Sequence, residues 1–227
     1  MSLKEHYDSL WNLSKKEIVN GVYSIDENLN LFNDNRRGIT LLARIDKKVL
    51  NNIQGFINEC RIVEPDHYYY RNTDVHITVM SIITCYDGFE LKSIKVDEYV
   101  NLIKKSLVNT RCFDIDLRGI TSAGSSVMIQ GFPSNNDINV IRDNLRNNFK
   151  LSNLEHSIDS RYPIKTAHST IIRFKEKLAD TEKFMKLLEK YREYNFGKTK
   201  VAGLELVHND WYQRIENGKL LERFRLM

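Results

Sequence analysis

The hydrophobic residues of this chain follow two different periods along the sequence. Spacings of three and four residues are typical of amphipathic helices, and short apolar runs or strict alternation are typical of strands. The predicted helices cover residues 3–20, 46–57, 97–108, 135–149 and 180–191, and the predicted strands cover residues 38–45, 74–83, 112–120, 126–130, 166–174 and 200–208. Helices and strands alternate, but short turns between strands favour hairpins. The sequence therefore predicts an α+β fold with antiparallel or mixed sheets.

The first 35 residues have a pattern of their own. Apolar residues at helical spacing end near Asn20-Gly21, and a polar stretch from residue 26 to residue 37 follows. We therefore predict an N-terminal helical extension and linker at residues 1–35 and a main domain at residues 36–227. With 227 residues, 41% of them hydrophobic, the chain is long enough for one large domain or two small lobes.

Two of the predicted strands carry the same motif. The segments Asp74-Val75-His76-Ile77-Thr78-Val79 and Thr166-Ala167-His168-Ser169-Thr170-Ile171 each place a histidine two residues before a threonine. Because successive side chains of a strand point to opposite faces, each histidine shares a face with its threonine. The matched motifs are compatible with an internal duplication whose two halves bring the strands together.

A hydroxyl beside an imidazole suits phosphate chemistry. The threonine donates to a non-bridging oxygen, and the imidazole transfers a proton to or from an attacking or leaving oxygen. The ordinary histidine pKa of about 6.5 allows both protonation states near neutrality. A single such pair is more often structural, but two matched pairs indicate a site with one acid and one base.

The paired motifs resemble those of a known family. His76-Ile77-Thr78, and His168-Ser169-Thr170 followed by Arg173-Phe174, look like the motifs of the two-histidine phosphoesterase superfamily, which includes LigT-like 2′-5′ RNA ligases and cyclic nucleotide phosphodiesterases. The resemblance covers residues 36–227, and Ser169 departs from the family pattern. It implies two pseudo-symmetric α+β lobes, with one motif from each lobe lining a central cleft and no metal requirement.

The resemblance also implies a function. It is that of a metal-independent phosphodiesterase acting on 2′,3′-cyclic phosphate RNA ends or related cyclic or 2′-5′ nucleotides, with 2′-5′ RNA ligase activity as the reverse reaction. His76 and His168 are the expected acid and base. Thr78, Thr170 and Arg173 are the expected phosphate-binding residues. Strict alternation would place Arg173 on the face opposite His168, so its role requires a β-bulge or a strand end.

Three consecutive tyrosines lie just before the first motif. Tyr68, Tyr69 and Tyr70 are placed to line the mouth of the cleft and stack on a base. The alternative is a loop that packs on the core, which is the commoner role of such a cluster.

Three cations share one face of the helix predicted at residues 135–149. Arg142, Arg146 and Lys150 are spaced four residues apart. The simplest interpretation is a solvated stripe near a helix C-terminus, where positive charge is favoured.

Composition narrows the choice of partners. The net charge of +4 favours an anionic ligand but is too small to imply tight binding along a duplex. Cys60, Cys85 and Cys112 are odd in number and form no CxxC motif, so neither a disulfide framework nor a zinc site is predicted. The sequence shows no signal peptide and no long apolar run, so we expect no membrane contact and a cytoplasmic location.

Two other function classes stay open at this point. A metallohydrolase is disfavoured because HExxH is absent and neither motif strand offers a second ligand at short spacing. A non-catalytic nucleotide- or RNA-binding protein that retains the cleft is the main alternative. The sequence predicts no cofactor and leaves the oligomeric state open.

Overall fold

The computed structural model describes residues 1–31 and 33–227, and it confirms the predicted α+β class. The α-helices are α1 (Leu3–Val19), α2 (Lys47–Val63), α3 (Val96–Ser106), α4 (Asp137–Lys150) and α5 (Thr181–Lys190). The strands are β1 (Arg37–Arg44), β2 (Tyr68–Tyr69), β3 (His76–Tyr86), β4 (Phe113–Ala123), β5 (Ser126–Pro133), β6 (Ser169–Arg173), β7 (Asn195–Val201), β8 (Gly203–Asp210) and β9 (Lys219–Arg225). Within the described ranges, no helix has the length and apolar character needed to cross a bilayer.

The strands form two antiparallel sheets. The first sheet has the order β3-β1-β8-β9, and the second sheet has the order β2-β6-β5-β4-β7. β3, which carries the first histidine motif, is an edge strand. β6 begins directly after His168 and has only the two residues of β2 on its outer side. The two motifs therefore lie where the edges of the sheets meet.

Helices are exchanged between the two halves of the chain. α2 follows β1 of the first sheet but packs on β7 of the second sheet, where the Asn52 side chain donates to the Phe196 carbonyl at 2.8 Å. α4 follows β5 of the second sheet but packs beside α3 and β3. Each sheet is therefore contacted by a helix that follows a strand of the other sheet, and the lobes share one continuous hydrophobic core.

The N-terminal helix is packed on the second sheet. α1 begins with a capping box in which Ser2 and Glu5 each bond the other's backbone N–H. One face of α1 lies on β4, and its buried residues are Tyr7, Trp11, Ser14 and Ile18. The Tyr7 hydroxyl donates to the Gly131 carbonyl and accepts from the Gly131 N–H, both at 3.2 Å. The predicted helical extension thus supports the sheet that carries the second motif.

A strand that the sequence predicted as one is two strands. The apolar pattern of residues 200–208 is divided at Ala202, because β7 pairs with β4 in the second sheet while β8 lies between β1 and β9 in the first sheet. The prediction of a single strand was wrong. Hydrophobic alternation continues through the junction, and it carries no information on which sheet supplies the partner.

Gly131 is the point where β5 approaches the segment that leads to His168. A Cβ atom at Gly131 would lie 1.9 Å from the Ala167 carbonyl oxygen. We expect Gly131→Ala to lower the free energy of unfolding by about 1–3 kcal/mol, because added volume in a packed interior forces the backbone apart. Urea unfolding measures this change.

Gly55 supplies the matched control. It lies inside α2 and has open space around its Cα. Gly55→Ala is expected to raise the free energy of unfolding by about 0.5–1 kcal/mol, because alanine has the higher helix propensity. Equal stability of Gly131→Ala and wild type would contradict the tight approach at Ala167.

Candidate active site

The two histidine motifs line one cleft between the sheets. Its volume is about 180 Å³, and its wall includes His76, Thr78, His168, Thr170 and Arg173. The structure therefore brings together the five residues for which the sequence predicted acid–base and phosphate-binding roles.

A β-bulge in β6 brings Arg173 into the cleft. In the pairing with β5, Met128 faces Thr170 and Val127 faces Ile172, so Ile171 is the extra residue. Ile171 and Ile172 are both fully buried. Because two consecutive side chains face the core, the alternation is reset and Arg173 returns to the face of Thr170. This is the irregularity that a phosphate role for Arg173 requires.

The first motif strand has a matching bulge. In the pairing with β1, Leu42 faces Thr78 and Leu41 faces Met80, so Val79 is the extra residue. Ser81 then lines the cleft three residues after Thr78, as Arg173 does after Thr170. The two lobes share the imidazole and the hydroxyl but differ at this third position, where only the second lobe has a charge.

The His76 ring has a fixed tautomer when neutral. Its Nδ1 lies 2.7 Å from the Asp74 carbonyl oxygen, which can only accept a hydrogen bond. In the neutral ring Nδ1 therefore carries the proton, and Nε2 is unprotonated. The Asp74 carboxylate is held by Arg71 and Thr73, each at 2.8 Å. Burial lowers the pKa of His76 to about 4, and the bond to the Asp74 carbonyl partly opposes that shift.

The His168 ring is held by a hydroxyl instead. Its Nδ1 lies 2.6 Å from Thr166 Oγ1, which can donate or accept, so this contact orients the ring without fixing its tautomer. Burial lowers the pKa of His168 to about 4, and the positive charges of Arg142, His76 and Arg173 act in the same direction.

Arg173 is anchored on two sides. Its Nε donates to the Tyr70 hydroxyl at 3.1 Å, and its Nη1 donates to the Asp26 carboxylate at 3.2 Å. Asp26 is itself buried, and it accepts from the Tyr212 hydroxyl at 3.0 Å. Among the described residues, Nη2 has no hydrogen-bond partner and is left for an anion in the cleft. Through Asp26, the N-terminal segment thereby fixes the guanidinium of Arg173.

Arg142 lies in the core, and its predicted position in a solvated stripe was wrong. The side chain is 1% exposed, and it donates to the carbonyls of Val79 at 3.0 Å, Thr78 at 3.1 Å and Thr166 at 2.8 Å. One guanidinium thus joins the strand of the first motif to the segment of the second. Burial lowers the pKa of Arg142 to about 10.

The sequence contained a signal for this position. Arg142 falls at helical spacing between Ile138 and the pair Leu145 and Phe149, on the apolar face of α4. Arg146 lies at the margin of that face, where it pairs with Asp159 at 2.5 Å.

The three tyrosines have different surroundings. Tyr70 lines the cleft and holds Arg173. The Tyr69 hydroxyl donates to the Glu64 carbonyl, and this ring lies outside the cleft wall. Tyr68 also lies outside the wall and packs edge-on against Tyr70. The aromatic ring that sequence reasoning missed is Trp211, which is half-buried in the cleft wall just after β8.

Solved structures match the fold over most of the chain, whereas no protein-family model and no curated protein sequence matches it. The protein TT0787 of Thermus thermophilus has a TM-score of 0.57 at 15% identity, over 83% of this chain and 97% of that chain. E. coli LigT complexed with 3′-AMP has a TM-score of 0.56 at 10% identity, over 85% of this chain and 99% of that chain. The chain has the LigT fold. A protein of unknown function from Agrobacterium tumefaciens, ATU0111, has a TM-score of 0.56 at 10% identity, over 92% of this chain and 99% of that chain.

In this chain the cleft lies between β3, an edge strand of the first sheet, and β6, which is flanked on its outer side by the two-residue strand β2. At 10–15% identity the likeness concerns the fold, and the chemistry has to be argued from this chain's own side chains. Within residues 1–31 and 33–227, no three side chains of His, Cys, Asp or Glu form a group that could hold a metal ion.

The charge of Arg142 lowers the pKa of His168, and its hydrogen bonds join the two motif segments. We expect Arg142→Met to lower the free energy of unfolding by at least about 1.5–3 kcal/mol, the contribution of one hydrogen bond to a charged group. The loss of the positive charge should also raise the pKa of His168 from about 4 toward 6.5, so that this ring takes up its proton at a higher pH than in wild type. NMR titration of the ring measures the shift.

Lys150→Met is the control for this experiment, because Lys150 lies on the same helix and is exposed. It should leave both the stability and the pKa of His168 unchanged. A folded Arg142→Met protein with an unshifted His168 would show that the two groups are not electrostatically coupled.

Proposed function

We propose that the protein is a metal-independent phosphodiesterase that acts on 2′,3′-cyclic phosphate RNA ends or on related cyclic or 2′-5′ nucleotides. The observation that carries this proposal is the pair of imidazole–hydroxyl sets, His76 with Thr78 and His168 with Thr170, that face one cleft together with Arg173. E. coli LigT, which shares the fold, binds 3′-AMP, a ribonucleotide with its phosphate on a ribose hydroxyl.

The phosphate is bound by three groups in this proposal. Thr78 and Thr170 donate to the non-bridging oxygens from opposite lobes, and Arg173 Nη2 donates a charge-assisted bond. These donors are held in place before substrate arrives, because Tyr70 and Asp26 fix the guanidinium. Charge that builds on the phosphoryl oxygens in the transition state then meets donors that need no reorganisation.

In the proposed reaction one histidine is protonated and the other is neutral. Both pKa values are lowered to about 4, and a bound phosphodiester anion raises the pKa of the imidazole it faces, so the proton is taken up with the substrate. Burial lowers both pKa values, and Arg173 opposes an imidazolium at either ring. The carbonyl of Asp74 stabilises an imidazolium at His76, whereas Arg142 disfavours one at His168. His76 is therefore assigned as the general acid and His168 as the general base.

The reaction follows from that assignment. His168 removes a proton from the attacking water, the water oxygen forms the new bond to phosphorus, and one ribose oxygen leaves with the proton of His76. With a 5′-hydroxyl of a second RNA in place of water, the same steps join the two chains: His168 removes the proton of the 5′-hydroxyl, its oxygen bonds to phosphorus, and the ribose 3′-oxygen leaves with the proton of His76, which gives a 2′-5′ linkage.

Hydrolysis in excess EDTA tests the function. Nucleoside 2′,3′-cyclic phosphates and a short RNA with a 2′,3′-cyclic end are the substrates, and we expect turnover that falls about 10²–10⁴-fold in His76→Ala and in His168→Ala. His156→Ala is the matched control, since His156 is exposed and does not line the cleft. Binding without product in the wild type would support the non-catalytic alternative, and activity lost in EDTA would point to a metal.

The leaving group distinguishes acid from base. The leaving oxygen of a p-nitrophenyl ester of a nucleoside 3′-phosphate needs no proton. On this substrate the activity of His76→Ala should therefore be close to that of wild type. His168→Ala should stay equally impaired on both substrates. The opposite pattern would reverse the assignment.

A further inference from the structure

A second cavity opens beside the catalytic cleft. Its volume is about 520 Å³, and it shares wall residues with the cleft, among them Arg161, Arg173 and Trp211. Its other side is formed by Ile25–Asn28 of the N-terminal segment and by Arg36. A ligand whose phosphate lies at Arg173 can therefore extend directly into this space.

The indole of Trp211 is the main flat surface of the cavity. It is half-buried, and two guanidinium groups lie near it, with the Arg161 Cζ 4.5 Å and the Arg36 Cζ 5.2 Å from a ring centroid. Arg36 is held by a bidentate pair with Asp34, at 2.8 Å for each bond. Arg161 is exposed and forms no ion pair with a carboxylate of the described residues, so its plane is free to move over a ligand.

The charges of this cavity are not those of a second phosphate site. Arg173 and Arg36 each already pair with a carboxylate, Asp26 and Asp34. The remaining cation of the wall, Arg161, shares it with the carboxylate of Glu27. A planar, uncharged group with polar edges fits such a balanced surface better than an anion does.

Asp26, in the wall of this cavity, is held in place. Asp26 is fixed by its backbone N–H to the Phe174 carbonyl at 2.7 Å and by its side-chain bonds to Arg173 and Tyr212. Glu27 and Asn28 follow Asp26 directly and line the same wall. A carboxylate and an amide can accept from and donate to the edge of a base.

We infer that the second cavity binds the nucleobase of the substrate, with the Trp211 ring and the Arg161 guanidinium as its stacking surfaces and Glu27 and Asn28 at its polar edge. The inference rests on the proposed function, because it takes the phosphate to lie at Arg173. It moves base stacking from the tyrosines before β3 to Trp211 and Arg161, and it gives the N-terminal segment a part in substrate recognition.

A matched pair of substrates tests the inference. Adenosine 2′,3′-cyclic phosphate carries the base, and methyl ribofuranoside 2,3-cyclic phosphate replaces it with a methoxy group. Trp211→Ala should lower kcat/KM about 5- to 150-fold for the adenosine compound, mainly through KM, since stacking of one base is worth about 1–3 kcal/mol. The baseless compound should show no change, and Trp211→Phe should restore most of the activity.

A binding readout keeps the test independent of turnover. The chain has two tryptophans, and Trp11→Phe leaves Trp211 as the single tryptophan, which can be excited selectively over the tyrosines. We expect 3′-AMP to quench its fluorescence, while inorganic phosphate and ribose 5-phosphate do not. Equal losses on both substrates, no loss on either, or no quenching by 3′-AMP would each overturn the inference. Absence of turnover in the wild type with quenching intact would count against the proposed function alone.

Discussion

The buried guanidinium of Arg142 sets the separation of the two motif strands. Its three hydrogen bonds end on carbonyls of Thr78, Val79 and Thr166, so one planar group spans both lobes. A buried cation without a carboxylate partner is costly, and the three carbonyls offset part of that cost through Nε and Nη2, while Nη1 is buried without a partner among the described residues. The same charge holds down the pKa of His168, so the group that fixes the geometry also adjusts the chemistry.

The two lobes repeat a motif but do not repeat its surroundings. Each lobe supplies an imidazole, a hydroxyl and a β-bulge. Three residues after the threonine, however, the first lobe has Ser81 and the second lobe has Arg173. The N-terminal segment holds two elements of the second lobe, since Tyr7 bonds Gly131 and Asp26 holds Arg173. A fold with near-twofold symmetry can therefore orient a substrate whose two ends differ.

The sequence predicted the parts of the site that depend on local periodicity. His76 with Thr78 and His168 with Thr170 follow from alternation within a strand. The bulge at Ile171 depends on pairing with β5, and a single strand's sequence does not show its partner's register. The spacing of Arg142 is the same whether that face of α4 meets water or strand carbonyls. The solvated stripe was predicted from the charge of the residue, and the charge does not distinguish these two environments. Trp211 is an isolated residue after a strand. It lines the cleft beside Arg36 and Arg161, which are far from it in the sequence, so no local pattern could predict its position.

The exchange of helices between the lobes bears on how the cleft can move. A hinge rotation that widened it would have to pull α2 away from β7 and α4 away from β3, exposing apolar surface from the shared core. Opening by rigid-body lobe motion is therefore costly, because it would separate these packed surfaces. For the proposed phosphodiesterase, a cleft that resists widening would favour chain ends and small nucleotides over the interior of a folded RNA.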